Sequence, residues 1–410
     1  MVAKSSNRVE ALTGARALAG LYILALHFGK PLFARAPHWA ETLRGSGYVA
    51  TSYFIMLSGF VLTIAYGRKL ADGRLDRRGF LVARLTRLYP CYALALVIML
   101  PLAIVHHWGA ATATFGDASL RYKVVTGLAQ ASMTHVLVPR LVTAWNVPGW
   151  CVSIEMWFYV AFPLTVTWMV SRRARSLVAV LAGLWACVLA LSLAYTLVQP
   201  DGFRPDHDST APWLTLFKFT PYTRWPEFFF GCALGALWLR VPAERRGARF
   251  ATLLVAGGAL VTVAILLASE HIPYTMLHNG TLLPLYGAIV WGLMLNRGPL
   301  HRALSVRPLT ALGDSSYALY TLQVPLVAWL LLAGGHAPNA VDAPFAALML
   351  AAVIAGAIFV HFVVEPRAQA WLRPRLERWS AMLPYAAPAY LAGSSITSMR
   401  NPPAASSTRS

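Results

Sequence analysis

Runs of about 20 mostly apolar residues recur along the whole chain, each long enough to cross a hydrocarbon core about 30 Å thick. No other feature restricts the fold so tightly. In lipid the backbone must satisfy its own polar groups, so such runs fold as helices. Ten candidate spans follow: 13–34, 48–66, 80–105, 145–170, 176–198, 221–239, 250–269, 277–295, 310–334 and 345–364. With 57% hydrophobic and 12% charged residues, the chain is too apolar for a soluble enzyme of its length. The expected fold class is all-α, a polytopic membrane helix bundle of about ten transmembrane helices with both termini cytoplasmic. The first apolar stretch is read as a retained helix rather than a signal peptide, because Arg16 and His27 frame it and a second span follows soon after.

The basic residues decide the orientation. The formal net charge is +19, which would suit nucleic acid only if the cations formed one soluble patch. They fall instead between apolar runs, so no nucleic-acid partner is expected. With the N-terminus in the cytoplasm, 26 Lys and Arg lie on the cytoplasmic side and nine outside, as positive-inside topology requires. This count leaves 124–138 (VVTGLAQASMTHVLV), short and studded with polar residues, as a re-entrant or interfacial piece. If it crossed, "SRRAR" at 171–175 would move outside. The chain is thus expected to be a multi-pass protein of the cytoplasmic (inner) membrane: one transmembrane domain over 1–378 and a disordered cytoplasmic tail over 379–410, rich in Ala, Pro and Ser. The four cysteines are scattered singly and read as small buried hydrophobes; no metal site is expected.

The outer loops are too small to form a separate catalytic domain, so any chemistry must lie within the bundle. In "RALAGLYILALH" (16–27), Arg16 and His27 are eleven residues apart, about three helical turns, so they share one face about 16 Å apart. Ionisable groups inside a membrane face a polar interior. Arg16 falls near the cytoplasmic interface and His27 near mid-bilayer. Glu155, in "WNVPGWCVSIEMWFYVAFP" (145–163), reaches about the same inferred depth and is expected to pair with His27. Trp150, Ser153 and Tyr159 around it, with Ser58 of "SYFIMLSGF", are candidate pocket walls. Ser58 lacks the G-x-S-x-G elbow of a serine nucleophile. Arg84 and Arg87 are neighbours on one helical face, preceded by Arg77 and Arg78; two arginines a turn inside a helix suit multidentate phosphate binding. Arg224 and Glu227, also three apart, are expected to form a local ion pair.

Together these elements resemble the acyltransferase type 3 family of bacterial integral membrane proteins. The resemblance runs from about residue 11 to 375. It is carried, in order, by the R-x10-H of Arg16 and His27, "FIMLSGF" (54–60), "RLTRLYP" (84–90), "WCVSIEMWFYVAFP" (150–163), "RWPEFFFG" (224–231), "LGDSSYALY" (312–320) and "VEPR" (364–367). It implies transfer of an acyl group, commonly acetyl, from cytosolic acyl-CoA to a hydroxyl on an extracytoplasmic acceptor, usually a sugar of a cell-surface polysaccharide or glycolipid. The family's essential first-helix arginine and histidine carry over to Arg16 and His27, and its basic third-helix motif to Arg84 and Arg87. Two positions depart from the pattern: Gln323 stands where many members have histidine, and Ala50 where a glycine is common.

The expected site therefore has His27, Arg16 and Glu155 as catalytic groups and Arg84, Arg87, Arg77 and Arg78 as the acyl-CoA (acetyl-CoA) binding groups. Its expected partners are acyl-CoA, a hydroxyl acceptor and the lipid bilayer, with homo-oligomer formation left open. Two other functions fit the same residues. One is a proton-coupled transporter or flippase relaying protons through His27 and Glu155; the other is a non-catalytic assembly partner in polysaccharide export.

Overall fold

The computed structural model describes residues 9–105, 119–207, 209–241, 248–295, 298–337 and 340–382. The expected outer-loop residues 106–118 and the tail beyond 382 lie outside the described residues. The chain runs through α1 (Glu10–Phe28), α2 (His38–Gly45), α3 (Ala50–Ala71), α4 (Arg77–Val105), α5 (Leu120–Ala131), α6 (Gly149–Ser171), α7 (Ala174–Val198), α8 (Pro212–Phe219) and α9 (Pro221–Trp238). It continues through α10 (Ala248–Leu267), α11 (Tyr274–His278), α12 (Leu283–Met294), α13 (Pro299–Leu304), α14 (Arg307–Asp314), α15 (Ser316–Gly334), α16 (Ala343–Phe359) and α17 (Glu365–Met382). No strand occurs among the described residues. The protein is an all-helical, multi-pass membrane bundle.

Among the described residues, eight helical segments are long and apolar enough to cross a membrane. The two other expected spans correspond to α9 and α12. The first carries Arg224 and Glu227 within its 18 residues, and the second has only 12. Helix α9 needs no lipid-facing surface because protein encloses it: most of its side chains are buried. It lies against α3 through small residues. A Cβ on Gly231 would meet the Met56 carbonyl oxygen at 1.9 Å, and one on Gly59 would meet that of Phe228 at 2.1 Å. The sequence "GCALG" (231–235) is thus a G-x-x-x-G contact, the device by which membrane helices bring their backbones together without a hydrophobic driving force.

Helix α5 is the segment expected to stay on the outer side. Its 12 residues span about 18 Å, too short to cross. It dips into the bundle nonetheless: Tyr92 Oη donates to the Gln130 carbonyl at 2.7 Å, and Trp157 Nε1 to that of Met133 at 3.1 Å. Tyr92 lies about 22 Å along α4 from its first residue. At the opposite end, Arg78 Nη1 in the first turn of α4 donates to the Ser380 carbonyl at 3.1 Å. Helix α17 therefore continues to Met382, four residues beyond the expected domain boundary.

One boundary matters for function. The first span, expected over 13–34, is helical only from Glu10 to Phe28, and Pro31 follows the Gly29 cap, where it cannot extend the hydrogen-bond ladder. His27 is therefore in the last turn of α1 rather than midway along it.

The expected Arg224–Glu227 pair forms, with Nη2 and Oε2 at 3.1 Å and both side chains fully buried. Arg224 Nη1 also donates to the His278 carbonyl at 3.0 Å and to Asn279 Oδ1 at 2.5 Å, while Asn279 Nδ2 donates to the Phe217 carbonyl at 2.7 Å. This network pins the α11–α12 junction to α8 and α9. Removing one charge strands the other in a medium that cannot solvate it. Glu227→Ala should therefore cost about 3–5 kcal/mol, and the double variant Arg224→Met/Glu227→Leu should recover most of that loss. Unfolding midpoints in detergent check both.

Candidate functional site

Helices α1, α3, α4, α6 and α15 enclose a cavity of about 140 Å³ lined by Arg16, Arg84, Arg87, Glu155, Ser58 and Tyr159 among others. Six residues picked from the sequence on separate grounds thus share one space. Their phases explain it. Arg84 and Arg87 are three apart on α4, and Glu155 and Tyr159 four apart on α6, so each pair faces one way. Arg16 Nη2 donates to Ser316 Oγ at 2.9 Å. Arg84 Nη2 donates to Tyr66 Oη at 3.2 Å. Its guanidinium carbon lies 5.6 Å from the Tyr66 ring centre and 5.9 Å from that of Phe80, and its buried Nε has no protein partner. Arg87 is exposed. Three guanidinium groups against one carboxylate leave the lining net positive, a surface suited to a polyanion.

Glu155 does not pair with His27. Its carboxylate accepts from the hydroxyls of Ser58 and Tyr159. The expectation failed because it placed Glu155 level with His27; Glu155 lines the cavity that Arg16 lines, and the His27 ring stands about 16 Å along the helix from Arg16. There its Nδ1 is 3.2 Å from Gln323 Oε1, and the His207 ring centre is 6.2 Å away. The side chain is exposed at an opening edged by these polar groups. His27 is outside the inner lining and is linked to it through protein: Tyr320 is part of that lining, and its carbonyl accepts from Gln323 Nε2 at 3.1 Å.

On the other side of His27 a second cavity opens. It measures about 780 Å³ and is lined by Tyr48, His207, Tyr274, His38, Glu270 and Arg204 among others. His207 belongs to this lining, and its ring centre is 6.2 Å from that of His27. Its inner wall is a run of rings. Tyr48 lies 6.1 Å from His207, 4.7 Å from Tyr274 and stacks on His278 at 5.7 Å. Lys218 Nζ donates to the His207 carbonyl at 3.2 Å, which secures the loop that carries it.

Four other expected site residues lie outside the inner cavity. Trp150 packs on Phe219, ring centres 5.0 Å apart, beneath the Arg224 guanidinium at 5.7 Å. Ser153 is fully buried and turned toward Tyr92. Arg78 is engaged with Ser380, and Arg77 lies about 10 Å below Arg84 along α4. Conversely, sequence reasoning missed Tyr48, His207, Lys218 and His278. His207 stood in a loop noted only as polar and acidic, and nothing in the local pattern links it to α1. Among the described residues, no group of three His, Cys, Asp or Glu is placed to hold a metal ion.

The fold is thus a multi-pass helical bundle with an arginine-lined cavity beside Arg16 of α1 and a larger polar cavity that includes His207. The chain belongs to the acyltransferase type 3 family: a family model described as an acyltransferase domain matches residues 9–362. It is 29% identical over 381 residues to the acyltransferase MdmB of Streptomyces mycarofaciens, covering 87% of this chain and 91% of that one. It is 20% identical over 336 residues to the O-acetyltransferase OatA of Staphylococcus aureus, covering 80% of this chain but only 52% of that one. A 93-residue stretch is 43% identical to protein 2 in the picA locus of Rhizobium radiobacter, 23% of this chain and 44% of that protein. No solved structure matches the chain significantly.

Proposed function

We propose that the protein transfers an acyl group, acetyl in the first instance, from acyl-CoA on the cytoplasmic side to a hydroxyl of an extracytoplasmic acceptor. The acceptor is a sugar of a cell-surface polysaccharide or glycolipid. One observation carries this reading: Arg16, Arg84, Arg87 and Glu155 share one cavity, and His27, about 16 Å from Arg16 along α1, has its ring 6.2 Å from that of His207 in the lining of a second, larger polar cavity. The names of MdmB and OatA, an acyltransferase and an O-acetyltransferase, agree with acyl transfer to oxygen.

In this mechanism Arg84 and Arg87 hold the phosphates of the donor, and its uncharged arm threads past Glu155 toward Tyr320. Arg16 orients the donor below, because about 16 Å separates it from His27 and it cannot reach a carbonyl there. His27 accepts the proton of the acceptor hydroxyl. The freed oxygen attacks the thioester carbonyl, the carbon–sulfur bond breaks, and the leaving thiolate takes the proton back from the imidazolium. Glu155, held by Ser58 and Tyr159, balances the cationic lining.

Mass spectrometry of surface glycans from a deletion strain and its parent tests the reading. The account expects O-acyl groups to disappear in the deletion and to return with the wild-type gene but not with His27→Ala. Unchanged glycans, with acceptor moving across the membrane independently of acyl-CoA, would favour the transporter instead.

A further inference from the structure

Gln323 is 1% exposed in the middle of α15, and both ends of its amide are engaged. Its Nε2 donates to the Tyr320 carbonyl at 3.1 Å, which fixes the orientation of the group and leaves Oε1 aimed at His27 Nδ1, 3.2 Å away. An amide oxygen only accepts hydrogen bonds. The proton shared between the two side chains therefore sits on Nδ1, and in the neutral ring this leaves Nε2 with its lone pair. The turn that carries Gln323 is pinned as well: Asn146 Nδ2 donates to the Thr321 carbonyl at 3.2 Å, a buried contact from the segment preceding α6.

We infer that Gln323 is the positioning residue of His27, setting its tautomer so that Nε2 is the nitrogen that takes the acceptor's proton. This rests on the function proposed above and adds to it which nitrogen acts and what orients it. In a hydrolytic triad a carboxylate does this work. Here the amide orients the ring without adding a second charge to the helix interior. The carboxylate first expected in that role, Glu155, is occupied by Ser58 and Tyr159.

The test compares Gln323→Met, which keeps length and bulk but loses the accepting oxygen, with Gln323→Glu, which restores one. The full chain is purified in detergent with ¹⁵N-labelled histidine, and the His27 signals are assigned by their loss in His27→Ala. The wild type should show the Nδ1–H tautomer in the absence of any acyl-CoA, the Met variant should lose it, and the Glu variant should regain it. With acetyl-CoA and native membranes as acceptor source, the Met variant should lose roughly 10–100-fold in kcat. That is less than the loss of the base itself. The donor KM should stay unchanged, and the Glu variant should recover most of the rate. A Met variant that keeps the Nδ1–H tautomer, or wild-type kcat, overturns the assignment. If the tautomer follows this pattern while no variant and no wild-type protein transfers acetyl, Gln323 keeps its role and the acyltransferase reading falls.

Discussion

His27→Ala should lower acyl transfer by about 10²–10⁴-fold, the usual contribution of a general base, while donor binding and protein abundance stay near wild type. The expectation follows from where the ring sits. It occupies the last turn of α1 and is exposed, and its hydrogen-bonding contact is with Gln323. Truncation therefore costs on the order of 1 kcal/mol of stability, too little to unfold the bundle. Arg84 and Arg87, the proposed donor-binding residues, line the inner cavity, whose lining does not include His27. A steady-state assay with acetyl-CoA, read alongside the unfolding midpoint and the donor dissociation constant, separates loss of chemistry from loss of fold. Wild-type transfer in the alanine variant would remove His27 from the reaction.

Replacing Arg84 and Arg87 together by glutamine should produce the largest change in donor affinity. Hydrogen bonds to charged groups contribute about 1.5–3 kcal/mol each, and every 1.4 kcal/mol is a factor of ten. The single variants should thus raise the donor KM by about 10–100-fold and the double variant by more, with kcat at saturating donor little altered. Arg84 should be the more sensitive position. Tyr66 and Phe80 hold its guanidinium, and its buried Nε is without a protein partner, whereas Arg87 is exposed. Lysine at Arg84 should rescue only in part, because an ammonium keeps the charge but not the planar two-pronged donor. Calorimetric titration of each variant with coenzyme A checks the ranking, and an unchanged affinity in the double variant would contradict the donor site.

Much of this site was legible in the sequence because helical periodicity is arithmetic. Eleven residues put Arg16 and His27 on one stripe, three put Arg84 beside Arg87, and four put Tyr159 beside Glu155. The same arithmetic marks Ser153 and Trp150 as out of place: two and five residues before Glu155, they point about 160° and 140° away from it. Depth was harder to read. A span of apolar residues shows that a helix crosses but not where its last turn falls. Glu155 lies at the level of Arg16, in one lining with it, rather than at that of His27, and the apolar pattern does not fix that level. Helix α9 was legible as a helix but falls outside the eight segments apolar enough to cross; "GCALG" (231–235) marks its burial against α3, which periodicity alone does not weigh. The outer cavity was not legible at all. Tyr48, His207 and Tyr274 come from three stretches far apart in the chain, and only the packing of α11 and the loop after α7 brings their rings together.

Right-side-defined membrane vesicles, carrying radiolabelled acetyl-CoA enclosed on the arginine-rich face and their own surface glycans on the other, put the two-cavity route to trial. If donor and acceptor meet at one imidazole, base-labile acetyl ester accumulates on the outer glycans of wild-type vesicles. None should form when acetyl-CoA is supplied only from the outer face, or when His27 is alanine. Equal labelling from either face, or full labelling without the histidine, would show that the chemistry runs elsewhere.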